Sequence, residues 1–146
     1  MAFPSSGLYV ATFVDALDTT QLALDLDLET HKVALYTNSV TIDLTSATGY
    51  SATNEVSGTG YTAGGTALTG TTFVHTATGV CTFDASDTSW TTATISSIRG
   101  CVIYADALAG DNGICAVNFG GDFQVTAGTF TIQWNASGIF TIDFIP

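Results

Sequence analysis

Apolar and polar residues alternate with a period of two along most of this chain. In TFTIQW (129–134), Phe130, Ile132 and Trp134 share one face, and Thr129, Thr131 and Gln133 share the other. In IFTIDFI (139–145), Phe140, Ile142 and Phe144 oppose Thr141 and Asp143. That period is the pattern of a strand with one buried and one wet face. KVALYT (32–37), TTFVHT (71–76), VCTFD (80–84), SWTTATI (89–95), RGCVIYAD (99–106) and ICAVNF (114–119) read the same way. Turn signals punctuate them: TATG at 76–79, AGDNG at 109–113, TAG at 126–128 and NASG at 135–138. About eight short strands at regular spacing predict an all-β single domain over residues 1–146, an antiparallel β-sandwich of jelly-roll-like or flattened-barrel form.

Two regions depart from the alternation. FVDALDTTQLALDL (13–26) spaces its apolar residues loosely enough for a short helix between about Val14 and Leu22. From Leu22, LALDLDL alternates and reads as extended chain or strand. Residues 1–21 are therefore expected to form a short helix or a docking arm. Residues 38–70 show little strand pattern beyond VTID, and a connection that long is usually a binding loop or arm. At its heart lies NEVSGTGYTAGGTAL (54–68), with four glycines and one charged side chain.

That glycine run does not fit a phosphate cradle. A P-loop needs a lysine and a hydroxyl after its last glycine, opening a helix. Here Gly64-Gly65 is followed by Thr66-Ala67-Leu68, and no helical period follows. A dinucleotide fingerprint fails because the run neither follows a convincing strand nor opens a helix. The glycines are expected where the backbone bends sharply and no side chain fits. Tyr50, Val56, Tyr61 and Leu68 are the candidate partner-binding residues of this loop, with Val56, Tyr61 and Leu68 as its packing anchors and the exposed tyrosines Tyr50 and Tyr61 suited to a protein partner.

Composition narrows the function. The 146 residues hold 26 threonines, 15 glycines, 13 acidic residues and two basic ones, Lys32 and Arg99, for a net charge of −11. Two cations cannot neutralise a run of phosphates, which excludes nucleic acid and anionic membranes as partners. Apolar runs such as CVIYA are too short to span a bilayer as helices. MAFPSSGLYVATF has no basic n-region or sustained apolar run, so it is not expected to act as a secretory signal. Cys81, Cys101 and Cys115 are odd in number, and their spacing matches no metal-ligand pattern. They read as buried free thiols, with one disulfide plus one free thiol as the alternative.

No catalytic set assembles. Neither His31 nor His75 sits in a nucleophile context; His31 is expected in solvent and His75 hydrogen-bonded or at a rim. Asp25, Asp27 and Glu29 resemble half a calcium loop without its glycine turn. Asp84 and Asp87 form a carboxylate pair without a recognisable cleft. No catalytic, cofactor-binding or metal residue is assigned. Asn135-Ala136-Ser137 is a formal glycosylation sequon, relevant only in a secretory pathway. Most rings, Trp90 and Trp134 among them, fall on the apolar side of their strands and are expected in the core.

Taken in order, LDLETHKVALYTNS, ATNEVSGTGYTAGGTALTG, DTSWTTATISSIRGCVIYAD and GTFTIQWNASGIFTID resemble a family of small tailed-bacteriophage virion proteins. The resemblance covers roughly residues 22–144, and the glycine loop is its most specific part. The three cysteines are unusual for that family, and the segment before residue 22 lies outside the likeness. The resemblance implies a non-enzymatic virion protein made in the host cytoplasm. In that setting the chain would decorate or cement the capsid by docking on the major capsid protein or other virion proteins, as a symmetric homo-oligomer such as a trimer. A tail, neck or fibre component, or a carbohydrate-binding adhesin module, is the alternative.

Overall fold

The computed structural model describes residues 2–27, 30–46 and 49–145. The chain is an all-β sandwich with one short helix. Its strands are β1 (Gly7–Leu8), β2 (His31–Tyr36), β3 (Gly58–Thr59), β4 (Thr66–Ala67), β5 (Thr72–Ala77), β6 (Val80–Asp84), β7 (Thr88–Ala105), β8 (Asn112–Ile132) and β9 (Phe140–Asp143). The helix α1 spans Val10–Leu17. One sheet runs β1-β8-β7-β2-β4, with β3 also paired to β7; the other runs β5-β6-β9. All pairings are antiparallel.

Four predicted strands become two. SWTTATI and RGCVIYAD lie on β7, while ICAVNF and most of TFTIQW lie on β8, so the TAG turn at 126–128 is no turn between strands. Ala127 bends within β8 at φ +46°, and Thr92 (+52°) and Ser97 (+58°) do the same within β7. These residues mark irregularities in the pairing, so the chain continues past them with its alternation shifted instead of folding back. The remaining strands match closely: VCTFD is β6, and β2 begins one residue before KVALYT and ends one before its close.

The helix forms earlier than expected. It starts at Val10 and stops at Leu17, where Asp18 Oδ1 accepts the Thr20 N–H at 2.7 Å and turns the chain out of helical geometry. LALDL (22–26) is extended, and its leucines alternate inward as predicted, but among the described residues no strand pairs with it. VTID (40–43) lies outside the named strands. Glu29 and Pro146 lie outside the described residues.

Two clusters hold the fold. Between the sheets, Val33, Leu35, Phe83, Ile95, Ile98, Ile103 and Ile114 are almost wholly buried. Each such side chain contributes about 1.5–3 kcal/mol by leaving water. On the opposite face of the larger sheet, Ala34, Tyr36, Val102, Tyr104 and Ala116 are covered by Phe3, Tyr9 and Val40. β2 and the adjoining ends of β7 and β8 are thus buried on both faces, which is why VALY and CVIYA are apolar without a break.

Candidate functional site

The glycine run is built into the sheet. Val56 N–H donates to Leu35 O at 3.0 Å, and Leu68 N–H donates to His31 O at 2.8 Å, so both ends of the segment are stitched to β2. Between them β3 crosses to β7 and β4 returns to β2. Gly65, at φ +75°, lies so close to β2 that a Cβ there would sit 1.9 Å from Val33 O. A Cβ on Gly58 would sit 2.1 Å from Thr94 O. The sequence reading of sharp bends without room for a side chain is what the backbone displays.

Glu55 organises this region. Its Oε2 accepts from Tyr50 Oη at 2.5 Å, and its Oε1 accepts from Tyr61 Oη at 2.5 Å and from Gly64 N at 2.8 Å. Tyr61 Oη in turn accepts the Leu35 N–H at 2.9 Å, and Tyr104 Oη donates to Gly64 O at 2.7 Å. Tyr50 stacks on Tyr104 with ring centroids 4.8 Å apart. Burial pushes the Tyr50 hydroxyl up to about 12 and raises Tyr61, with the hydrogen bond to Glu55 acting in the same direction. The phenols therefore stay protonated and donate. With three donors on one carboxylate, Glu55 is a structural hub that ties two tyrosines and the loop backbone together. The signal in the sequence was a lone charge among tyrosines, which the reading of the glycines passed over.

The four candidate partner contacts thus face inward to differing degrees. Leu68 is wholly buried and Val56 nearly so. Neither offers surface to another chain, so both are corrected from partner anchors to anchors of the chain's own core. Tyr50 and Tyr61 are half-buried and engaged with Glu55.

The other candidate groups are also committed to structure. His31 is 1% exposed instead of solvated: its Nε2 lies 2.8 Å from Asp25 O, its ring meets Phe83 edge-on, and Nδ1 has no partner. Burial lowers its pKa. His75 is exposed on β5. Asp25 Oδ1 accepts Asp27 N–H, Asp27 Oδ1 accepts Phe73 N–H, Asp84 Oδ1 accepts Ala85 N–H and Asp87 Oδ1 accepts Trp134 N–H. Both cations are paired, Lys32 with Asp106 at 2.9 Å and Arg99 with Asp122 at 2.7 Å. Among the described residues no group of three or more His, Cys, Asp or Glu converges as a metal site. All three cysteines are free thiols; Cys101 and Cys115 are buried and Cys81 is half-buried. Among the described residues no helix is long and apolar enough to cross a membrane.

Two exposed features remain. The first is a cleft of about 410 Å³ lined by Phe119, Phe123, Phe130, Trp134 and Ile139, with Thr131, Gln133 and Asn135 at its polar positions. It ends a run of rings that leads from buried Trp90 through Phe130 (5.9 Å) to Phe119 (6.4 Å) and Phe123 (6.2 Å). The second is the outer face of α1, where Val10, Val14 and Leu17 are exposed, Leu17 by 86%. Leu17 shares a hollow with Phe144, which is also exposed. Sequence alternation places Phe130 with Ile132 and Trp134 on an apolar face but does not tell that the face is only partly covered. The chain matches no family model, and no curated protein or solved structure is significantly similar to it.

Proposed function

We propose that this chain is a non-enzymatic structural protein of a tailed-bacteriophage virion, decorating the head by docking on the major capsid protein lattice. The ordered motif resemblance supplies the setting. The observation that carries the docking role is the apolar ridge of Val10, Val14 and Leu17, with Leu17 beside Phe144, exposed on an acidic, threonine-rich body. An exposed, contiguous apolar strip on a protein of net charge −11 is a contact surface, because solvation gives it no reason to persist. Mass spectrometry of purified particles tests the reading. The chain is expected in stoichiometric ratio to the capsid protein, and a Leu17→Asp variant is expected to be made but left off the particle. Particles that lack the wild-type chain end this proposal.

A second reading is favoured by the ring-lined cleft: a carbohydrate-binding module of a tail or fibre. Rings that stack on sugar faces, flanked by the amides of Gln133 and Asn135, are suited to hydroxyl-rich ligands. Glycan-array binding that disappears in Trp134→Ala would favour this reading over decoration.

A further inference from the structure

The ring-lined cleft holds a donor that the chain does not use. Trp134 stands half-buried in its wall, and the indole Nε1–H is buried with no hydrogen-bond partner. The backbone around it is satisfied: Trp134 N–H donates to Asp87 Oδ1 at 3.0 Å, and Ile139 N–H donates to Phe83 O at 2.8 Å. A buried donor left unpaired costs about 1–3 kcal/mol, and each such group calls for an explanation. Beside a cleft of about 410 Å³, within the range of small-molecule sites, a ligand that brings an acceptor removes that cost.

Three properties of the lining select the ligand. Phe119, Phe123 and Phe130 surround the cleft and Phe123 is 49% exposed, so an occupant gains most by laying an apolar group on rings. No charged residue lines it, and both cations of the chain are paired elsewhere, with Asp106 and Asp122. An anion would therefore meet only the repulsion of a chain of net charge −11, and a cation would find no carboxylate in the wall, so the recognised group is neutral. The indole N–H, finally, asks for an acceptor. A hydroxyl would carry a donor of its own into an apolar wall, where it too must be paired, whereas a carbonyl only accepts.

An acetamido group on a sugar ring meets all three demands. It brings a methyl for the phenylalanines, a carbonyl oxygen for Trp134 and no charge. Its N–H can donate to the amide of Gln133, which makes no hydrogen bond among the described residues. We propose that the cleft binds a neutral N-acetylhexosamine, whose acetamido carbonyl accepts from Trp134 Nε1–H. That ligand class narrows the carbohydrate reading of the cleft, on which it rests, from sugars at large to one kind.

Calorimetric titration of the full chain with matched trimers tests the assignment: N-acetylglucosamine trimer, its deacetylated glucosamine counterpart, and the glucose trimer cellotriose. The glucosamine trimer controls for the attraction of cations to an acidic protein. The acetylated trimer is expected to bind at least about tenfold more tightly than either of the others. In nitrogen-15-labelled protein, the indole N–H signal that disappears in Trp134→Phe should shift when it is added, while that of Trp90 stays in place. Trp134→Phe keeps a ring and removes the donor, so it should bring the acetylated trimer down to the affinity of cellotriose. If that variant misfolds, the wild-type indole signal decides alone. Equal affinity for the acetylated trimer and either comparison sugar, or an indole signal that does not move, overturns the assignment. Cellotriose binding that is lost in Trp134→Ala would in that case leave the broader carbohydrate reading standing. Failure of the acetylated trimer to bind overturns the assignment too, and the glycan array then judges the carbohydrate reading separately.

Discussion

The two halves of the β7–β8 hairpin are built from the same kind of sequence and serve different ends. Near the turn, residues 100–105 of β7 and 112–116 of β8 have both faces covered, by the smaller sheet's side of the core and by Phe3, Tyr9 and Val40 on the other. Farther out, β7 alternates buried with exposed, and β8 from residue 119 onward is largely open to solvent. The outer half is decorated with hydroxyls, such as the Ser89–Thr131 contact at 2.8 Å, and is bent at Thr92, Ser97 and Ala127. The inner half fixes the fold, while the outer half carries surface that can be altered without unfolding it. The contrast teaches that strand length and burial are separate properties: one hairpin can be core at one end and solvent-facing at the other.

Substitutions should separate the halves sharply. The largest loss is expected at Gly65, whose added methyl would collide with the β2 backbone in a left-handed conformation. Gly65→Ala should cost about 4 kcal/mol in urea unfolding, and a tolerated Gly65→Ala would show that the loop is not clamped to the inner half. Ile103→Ala, which opens a cavity in the inner half, should cost about 3 kcal/mol by the same measurement. Glu55→Gln keeps the shape but weakens the charge-assisted bonds to Tyr50 and Tyr61. It should cost about 1–2 kcal/mol and speed amide exchange at Gly64.

Acid provides a graded probe of the inner half. His31 has a lowered pKa because it is buried, so in the window between its folded and unfolded values the unfolded chain binds the extra proton. Stability from this group is therefore full above the unfolded pKa of about 6.5 and falls as pH drops from there toward the folded value. The slope should be at most about 1.4 kcal/mol per pH unit, and His31→Gln should remove it in urea titrations across that range. The smallest effect belongs to the outer half: Phe123→Ala should change monomer stability by no more than about 0.5 kcal/mol. A larger loss there would mean that the rings of the cleft belong to the folding core.

Several parts of this architecture were legible from residues alone. The bounds of β6 are legible because Cys81 and Phe83 alternate with Thr82 and Asp84, and a Thr78-Gly79 turn precedes the strand. The glycine run was read as shape instead of chemistry because no lysine or helix follows Gly65. The helix was displaced because periodicity alone weighed Leu22, while the Asp18–Thr20 turn that ends α1 is a local hydrogen bond invisible to periodicity. His31 was misplaced because its neighbour Lys32 suggested solvent. Successive strand residues point to opposite faces, and here the His31 face is the covered one.

Alternation, threonine content and the near absence of cations determined an all-β, acidic body, because those properties act residue by residue. Only the folded chain decided that Glu55 would gather two tyrosines, that Val56 and Leu68 would turn inward, and that among the described residues no strand would pair with the outer edge of the far part of β8. Each of those depends on which distant segments arrive beside a given strand. A single strand carries the same backbone donors whether or not a neighbour comes to meet them.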